Sequence, residues 1–286
     1  MNIGILGLAH VHVQMYCRQW QDHPEWGVKV AGVWDHDRTR AAQAESNGMK
    51  AFGSPAELLA AVDAVFIAAE TSLHAELVEL AAAARKPIAL QKPLALTLEE
   101  ADRIVAAVEK TGIPFTLAGQ MRTDSENLKM KELLASGVVG KVFMVRRRHG
   151  LGTHLWAKFD ESWHVNPKLN RDIWADDAAH PADFIYWLLG MPESVTAEIG
   201  SFLNPKIPSD NGVAVFRYPG GPIAEVTCSF TCVAGENTTE IIGEKGVIIQ
   251  NYGDGPGTSV PRLPGSVGLK WFIQGSGAWT LYDGPS

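Results

Sequence analysis

A lysine follows a short apolar run in the segment Pro87-Ile88-Ala89-Leu90-Gln91-Lys92-Pro93, and a helix-like segment begins soon after it at Leu98. Continuous apolar runs of this length are typical of strands that are buried on both faces of a parallel sheet. In an open α/β sheet, ligands bind in the crevice beyond the carboxyl ends of the strands. Lys92 is therefore predicted to lie at a ligand site, with a solvated charge at a strand end as the alternative interpretation.

The chain around this segment, from Met1 to about Gly119, alternates short strand-like runs with longer helical ones. This alternation is typical of consecutive βαβ units, so residues 1–119 are predicted to form a domain with a doubly wound parallel sheet. The predicted strands are Asn2–Leu6, Val28–Trp34, Ala64–Ala68, Pro87–Leu90 and Pro114–Ala118. The predicted helices are His12–Gln21, Arg38–Asn47, His74–Ala84 and Leu98–Thr111.

Residues 120–286 have a different pattern, with one helix over Glu126–Ser136 and then several strand-like segments. They are predicted to form an α+β domain with an open, mainly antiparallel sheet. The predicted strands are Val142–Val145, Ser194–Ile199, Val213–Arg217, Ala224–Phe230 and Gly246–Gln250. A further helix is predicted over Asp172–Leu189, where Asp176 and His180 share one face because they are four residues apart. The tail beyond Gly253 is rich in Gly, Pro and Ser and is predicted to lack a closing helix.

Composition excludes several classes of protein. The chain has 286 residues, which is long enough for two domains, and its composition of 46% apolar and 20% charged residues is typical of globular proteins. A net charge of -7 argues against a nucleic-acid partner. Three cysteines are too few for a disulfide framework or a four-ligand zinc site. Because no apolar run approaches the ~18 residues of a membrane span, and no basic leader opens the chain, we expect a cytoplasmic protein without a membrane partner.

The turn after the first strand is an imperfect dinucleotide-binding fingerprint. Gly7 supplies the tight turn, but Ala9 and His12 stand where the second and third glycines of G-x-G-x-x-G would be. In a Rossmann domain, the pyrophosphate would rest here on the amides at the helix N-terminus. His10 and His12 form an H-x-H pair, but no third ligand follows at a convincing spacing, so no metal site is predicted.

Asp35 ends the second predicted strand, where an acidic side chain can accept hydrogen bonds from an adenosine ribose. An acid at this position repels a 2′-phosphate, so NAD is favoured as the cofactor. NADP stays open because His36 and Arg38 follow. The alternative interpretation of Asp35 is a turn or N-cap residue.

Together, these features resemble the Gfo/Idh/MocA family of NAD(P)-dependent sugar and polyol oxidoreductases, over Met1 to about Gln250. The motifs that carry the resemblance are the Gly7 turn, Asp35, Thr71-Ser72-Leu73-His74, Gln91-Lys92-Pro93, Arg122, the segment Leu133–Lys141 and Asp176-x-x-x-His180-x-x-Asp183. The chain differs from the family pattern at Gln91, where the family has glutamate, at Asn170-Arg171-Asp172, where it often has three glycines, and at Ala178, where it has glycine. The resemblance also implies a final helix and strand that do not appear before Ser286.

The resemblance implies an enzyme with Lys92, Asp176 and His180 as its catalytic group. It implies a homodimer or homotetramer assembled through the sheet of the second domain. The residues assigned to the cofactor are Gly7, Ala9, His10, His12, Asp35, Thr71, His74, Gln91 and Lys92. Arg122, Trp163 and His164 are assigned to a sugar or polyol substrate, since sugar faces stack on indole rings and Trp163 lies near the predicted site segment.

The chemistry of the three catalytic candidates suits oxidation of a secondary alcohol. His180 is the natural base because imidazole titrates near neutrality, and Lys92 would stabilise an alkoxide. Asp176 would contact the substrate or orient the imidazole. The plainer interpretations are a satisfied helix-start histidine and an N-capping aspartate.

Two other functions stay open on the sequence. One is a non-catalytic sensor of dinucleotide or sugar, because a fold does not fix a function. The other is an oxidoreductase that acts on a non-sugar carbonyl compound.

Overall fold

The computed structural model describes residues 1–203, 205–235, 237–252 and 267–284. The chain divides into two compact units, one of Met1–Ala118 with Lys168–Arg171 and one of Gly119–Pro167 with the chain from Asp172 onward. Within the described ranges, the strands form a parallel five-stranded sheet in the first unit and a mixed eight-stranded sheet in the second. The predicted fold class, a Rossmann sheet followed by an α+β domain with a mainly antiparallel sheet, is confirmed.

The first sheet has the strand order β2-β1-β3-β4-β5. Its strands are β1 (Asn2–Leu6), β2 (Lys29–Trp34), β3 (Ala64–Ile67), β4 (Ile88–Leu90) and β5 (Phe115–Leu117). The helices of this unit are α1 (His12–Asp22), α2 (Arg38–Ser46), α3 (Pro55–Ala61), α4 (His74–Ala83) and α5 (Leu98–Thr111). The chain adds β2 on one side of β1 and then β3, β4 and β5 on the other side. Such a switch point is where open α/β sheets bind ligands.

Helix α3 is absent from the sequence prediction although its start carries a capping signal. The Ser54 hydroxyl accepts a hydrogen bond from the Glu57 N–H at 3.2 Å, and Pro55 occupies the first helical position. The core of the unit packs helices onto the sheet through Leu58, Ile67, Val78, Leu90 and Ile104. Helix α5 is bounded by Thr97, which caps the Glu100 N–H, and by Gly112 in the left-handed region.

The second sheet has the order β13-β12-β11-β10-β6-β9-β8-β7. Its strands are β6 (Val142–Gly150), β7 (Ser194–Gly200), β8 (Asn211–Arg217), β9 (Ile223–Ser229), β10 (Asn237–Gly243), β11 (Gly246–Tyr252), β12 (Leu269–Ile273) and β13 (Thr280–Leu281). Strands β6 and β9 are parallel, and the other pairs are antiparallel.

Three strands of this sheet were not predicted. The buried face of strand β10 is only partly apolar, because it includes the polar residues Asn237 and Thr239. Strands β12 and β13 fall in the tail beyond Gly253, for which the sequence analysis named no strand. The part of the tail over 253–266 lies outside the described residues.

The predicted helix over Asp172–Leu189 is two helices. They are α8 (Ile173–Asp177) and α9 (Ala179–Leu189), separated at Ala178, and they follow α6 (Ser125–Ala135) and α7 (Pro167–Asn170). The Asp172 carboxylate caps α8 by accepting the Ala175 N–H at 2.6 Å. Asp176 and His180 therefore lie on different helices, and the prediction of one continuous helix that carries both was wrong. Among the described residues, every helix is too short or too polar to cross a membrane.

Candidate active site

The turn after β1 brings the backbone close to the neighbouring strand. Gly7 has φ of +87°, and a side-chain carbon at this position would collide with the backbone of Ala69. Its N–H donates to the Trp34 carbonyl at 2.7 Å, which ties the turn to the end of β2. Only glycine satisfies both the dihedral angle and the close approach. The tight turn expected from the sequence is present at Gly7.

Asp35 lies directly after β2 and is 4% exposed. One carboxylate oxygen accepts the Leu8 N–H at 2.7 Å, and the other accepts the Asp37 N–H at 2.7 Å. The Arg40 guanidinium donates to both oxygens at 2.9 Å. Four N–H donors thus surround the carboxylate that the sequence assigned to a ribose, and two of them belong to the Arg40 side chain.

Arg40 connects Asp35 to a second buried acid. Its guanidinium lies 2.7 Å from a carboxylate oxygen of Glu70, and the other Glu70 oxygen lies 3.0 Å from the His36 ring. Burial by itself would lower the pKa of Arg40, but the hydrogen bond and the charge of Asp35 outweigh it, so that the pKa lies above its usual value. Sequence reasoning missed Arg40 and considered Arg38, which is exposed.

Two predicted cofactor residues after β3 have structural partners. The Thr71 hydroxyl donates to the Asn170 amide oxygen at 2.9 Å, and both residues are buried. The His74 ring is buried, with one nitrogen 2.9 Å from the Pro93 carbonyl and the other 3.3 Å from the Ala69 carbonyl. His74 therefore braces the loop that follows Lys92.

Lys92 lies where the sequence predicted it, just beyond the carboxyl end of β4, and it is 8% exposed. The Lys92–Pro93 peptide bond is cis. Gln91 precedes it and is fully buried. The Gln91 amide reaches the Lys92 N–H at 2.9 Å and the His12 ring at 3.1 Å. The glycine turn and the end of β4 are thus connected through Gln91.

The second unit gathers histidines and aspartates around α8. The His164 Nδ1 lies 2.8 Å from an Asp176 oxygen, and Asp176 is 2% exposed. The Trp163 ring stacks on the His164 ring with centroids 3.9 Å apart. The carboxylate predicted to contact substrate or His180 therefore has His164 as a hydrogen-bond partner, and Trp163 packs on that partner.

A second His–Asp pair lies beside the first. The His149 Nε2 is 2.7 Å from Asp177 Oδ2, and the His149 ring centroid is 5.8 Å from that of His180. All three residues are buried. Sequence reasoning did not include Asp177. The signal that could have found it is its place beside Asp176 at the end of α8.

Arg122, predicted to bind substrate, is paired within the second unit. Its guanidinium donates to both oxygens of Asp183, at 2.8 and 2.6 Å. The side chains are 41% and 38% exposed, and the hydrogen bond with Asp183 raises the pKa of Arg122. Within the described ranges, no group of three or more His, Cys, Asp or Glu side chains is placed to hold a metal ion.

Comparison with known proteins adds to this geometry. Residues 1–118 match the model of an oxidoreductase family with an NAD-binding Rossmann fold, and residues 127–249 match the GFO/IDH/MocA C-terminal domain. The chain belongs to the Gfo/Idh/MocA family. The resemblance inferred from the motifs is confirmed, and so is the NAD-binding class of the first unit.

Individual relatives extend over most of the chain. Inositol 2-dehydrogenase 3 of Saccharopolyspora erythraea is 30% identical over 263 residues, which are 87% of this chain and 72% of the relative. Inositol 2-dehydrogenase 2 of the same organism is 33% identical over 205 residues, or 69% of this chain, but the match spans only 56% of that relative. A levoglucosan dehydrogenase solved with NADH and L-sorbose shares the fold, with a TM-score of 0.83 at 20% identity over 99% of this chain and 79% of the other.

Proposed function

We propose that this protein is an NAD(P)-dependent oxidoreductase that transfers hydride between nicotinamide and a secondary alcohol or ketone of a sugar, inositol or related polyol. The observation that carries the proposal is Lys92, a buried cation just beyond the carboxyl end of β4 in an NAD-binding Rossmann fold. Burying an ammonium group costs free energy, so its position at a ligand-binding edge points to a chemical role.

The residues present fit a dinucleotide. Gly7 lets the turn pass close to the Ala69 backbone and leads to the start of α1, where helix N-terminal amides suit a pyrophosphate. When bound, the nicotinamide supplies the acceptor or donor of the hydride. The proposed cofactor is NAD, with NADP as the alternative. Asp35 and Glu70 place two buried carboxylates beside Arg40, and carboxylates repel the 2′-phosphate of NADP.

Side chains of the protein would remove the hydroxyl proton of the substrate and stabilise the alkoxide. We assign His180 as the base that takes the hydroxyl proton, because imidazole titrates near neutrality. Lys92 would stabilise the developing alkoxide as a fixed cation. Asp176 would act with His164 as a hydrogen-bonded pair, since the two atoms lie 2.8 Å apart. General acid–base help of this kind contributes about 10²- to 10⁴-fold in rate.

The substrate class follows from the relatives. Both inositol 2-dehydrogenases named above support a polyol, and Trp163, stacked on His164, offers an indole for sugar stacking. We further propose that residues 1–119 bind the dinucleotide and residues 120–286 bind substrate and form a homodimer or homotetramer. A cytoplasmic location is part of the same proposal.

The first experiment is a titration of the purified protein with NADH and, separately, NADPH, followed by quenching of tryptophan fluorescence. Saturation by NADH is the expected result. The protein with NAD would then be offered inositols, aldoses and anhydro-sugars while absorbance of NADH is recorded. Lys92→Met should abolish turnover, and Lys110→Met, a change at an exposed lysine of α5, should leave it intact.

The outcomes separate the competing functions. Tight NADH binding without turnover across the panel would favour the non-catalytic sensor. Turnover of carbonyl compounds other than sugars would keep the enzyme and change the substrate class. Failure to bind either dinucleotide would overturn the proposal.

A further inference from the structure

Gln91 has a fully buried side-chain amide that contacts both Lys92, at the end of β4, and the histidines that follow the glycine turn. Its side-chain oxygen lies 2.9 Å from the Lys92 backbone nitrogen. Its side-chain nitrogen lies 3.1 Å from His12 Nδ1 and 3.5 Å from His10 Nδ1. The rings of His10 and His12 are themselves 4.4 Å apart. One amide therefore faces two imidazoles at the start of α1.

The orientation of this amide is decided by the backbone. Oxygen and nitrogen of a glutamine side chain are distinguished by their hydrogen-bond partners. A backbone N–H can only donate, so the group facing the Lys92 nitrogen must be the amide oxygen. The opposite end is then the NH₂ group, which donates toward the two histidine rings.

The donor on Gln91 in turn decides the protonation of His12. A ring nitrogen can accept a hydrogen bond from an amide N–H only if it carries no proton. Nδ1 of His12 is therefore deprotonated, and the proton of the neutral ring lies on Nε2. His10 reaches the same state by a separate contact. The His12 backbone N–H, one of the donors that a helix start leaves open, donates to His10 Nδ1 at 3.2 Å.

We propose that Gln91 is a positioning residue that holds His10 and His12 as neutral Nε2–H tautomers, so that the His12 ring presents an N–H donor to the dinucleotide. This inference rests on the proposed function for its ligand, but the tautomers are a property of the free protein. Glutamate at position 91 would reverse the arrangement. One oxygen would still accept the Lys92 N–H, and the other would require a proton on Nδ1 of the facing histidine.

The test is ¹⁵N NMR of the imidazole rings in ligand-free protein labelled at histidine, with signals assigned through His10→Asn and His12→Asn. In the wild-type protein, His10 and His12 should both show the Nε2–H pattern near pH 7.5. Gln91→Glu should change His12 to an Nδ1-protonated pattern. Gln14→Glu, the same change at an exposed position of α1, should leave both rings unchanged.

A proton on Nδ1 of either ring in the wild-type protein would overturn the inference, and so would a His12 pattern that Gln91→Glu does not alter. The wild-type spectrum decides the first point even if the variant fails to fold. Gln91→Met, which removes the donor without adding charge, should weaken NADH binding about fivefold, the worth of one hydrogen bond. Unchanged affinity in that variant would refute the positioning role. If the wild-type protein binds no dinucleotide, the proposed function fails while the spectra still decide the tautomers.

Discussion

Two buried aspartates of this protein have hydrogen-bond partners of different kinds. Asp35, after β2, accepts two hydrogen bonds from the Arg40 guanidinium, whereas Asp176, in α8, has the His164 imidazole as its partner. A guanidinium stays charged at any pH at which the protein is folded, while an imidazole exchanges its proton near neutrality. The end of β2 thus pairs its carboxylate with a guanidinium, whereas the surroundings of α8 pair theirs with imidazole, the side chain that most often serves as a general base.

This difference matches the division of work in the proposed function. A site that binds a cofactor needs charges that do not change with each turnover, and a site that moves a proton needs groups that titrate close to the working pH. The α8 region contains His149, His164 and His180, all near aspartates or one another. The Arg40 region contains two buried carboxylates around one guanidinium.

The sharpest test of the comparison is His180→Asn. We expect kcat to fall about 10²- to 10⁴-fold, because the proposed base is lost, with little change in NADH affinity. Steady-state kinetics and the NADH titration measure the two effects separately. His23→Asn, at an exposed histidine of the first unit, is the control. Equal losses in affinity and kcat would show that the two regions do not divide binding from proton transfer.

Arg40→Ala should produce the largest loss of stability. It leaves the buried carboxylates of Asp35 and Glu70 without their guanidinium, and removing one partner of a buried pair typically costs 3–5 kcal/mol. Since the Arg40 side chain is 26% exposed, we expect the lower end, about 3 kcal/mol, in the free energy of unfolding by urea. Arg38→Ala, at an exposed position of α2, should cost little. A similar cost in both variants would contradict a fixed-charge cluster at Asp35.

His164→Phe should cost less than Arg40→Ala. The phenyl ring keeps the stacking on Trp163 but removes one hydrogen bond to Asp176, and removing one partner of a buried hydrogen bond costs about 1–3 kcal/mol. The free energy of unfolding near pH 7 measures the effect. In an Asp176→Asn background the same substitution should cost less, because the buried group no longer carries charge. Additive costs in the double variant would mean that His164 and Asp176 do not act as a pair.

The smallest effect is expected at Arg122 and Asp183, whose hydrogen bonds resemble those of Arg40 and Asp35. Both side chains are more than a third exposed, so solvent screens their attraction. Asp183→Asn should therefore change the free energy of unfolding by less than about 1 kcal/mol. A loss as large as that of Arg40→Ala would show that burial is not what separates the two pairs.

Much of the first unit could be predicted because its elements are encoded locally. The five strands and the helices α1, α2, α4 and α5 lie within one residue of their predicted bounds, since apolar runs and 3.6-residue periodicity mark them. Lys92 also lies at the strand end where the sequence placed it. The second unit was harder, because β10 buries Asn237 and Thr239, and Thr239 is hydrogen-bonded to the buried Arg147. A strand of that kind has no apolar alternation to detect.

The partners of the candidate site could not be predicted in the same way. Asp35 and Asp176 were both singled out, but Arg40 and the pairing with His164 were not. His74 and Thr71, which were assigned to the cofactor, have hydrogen-bond partners within the first unit that the sequence did not indicate. Residue type indicates which chemistry a side chain can perform, and it does not indicate which neighbour satisfies it.

The sequence by itself determined most strands and helices of the first unit, the class of the two domains, the glycine turn and the lysine at the end of β4. These depend on periodicity, turn chemistry and steric limits that act over a few residues. The tertiary structure alone decided that Arg40 donates to both oxygens of Asp35, that His164 is hydrogen-bonded to Asp176 and that Gln91 donates to His12. Such contacts join residues from separate elements, and the packing of those elements is what sets their distances, burial and protonation.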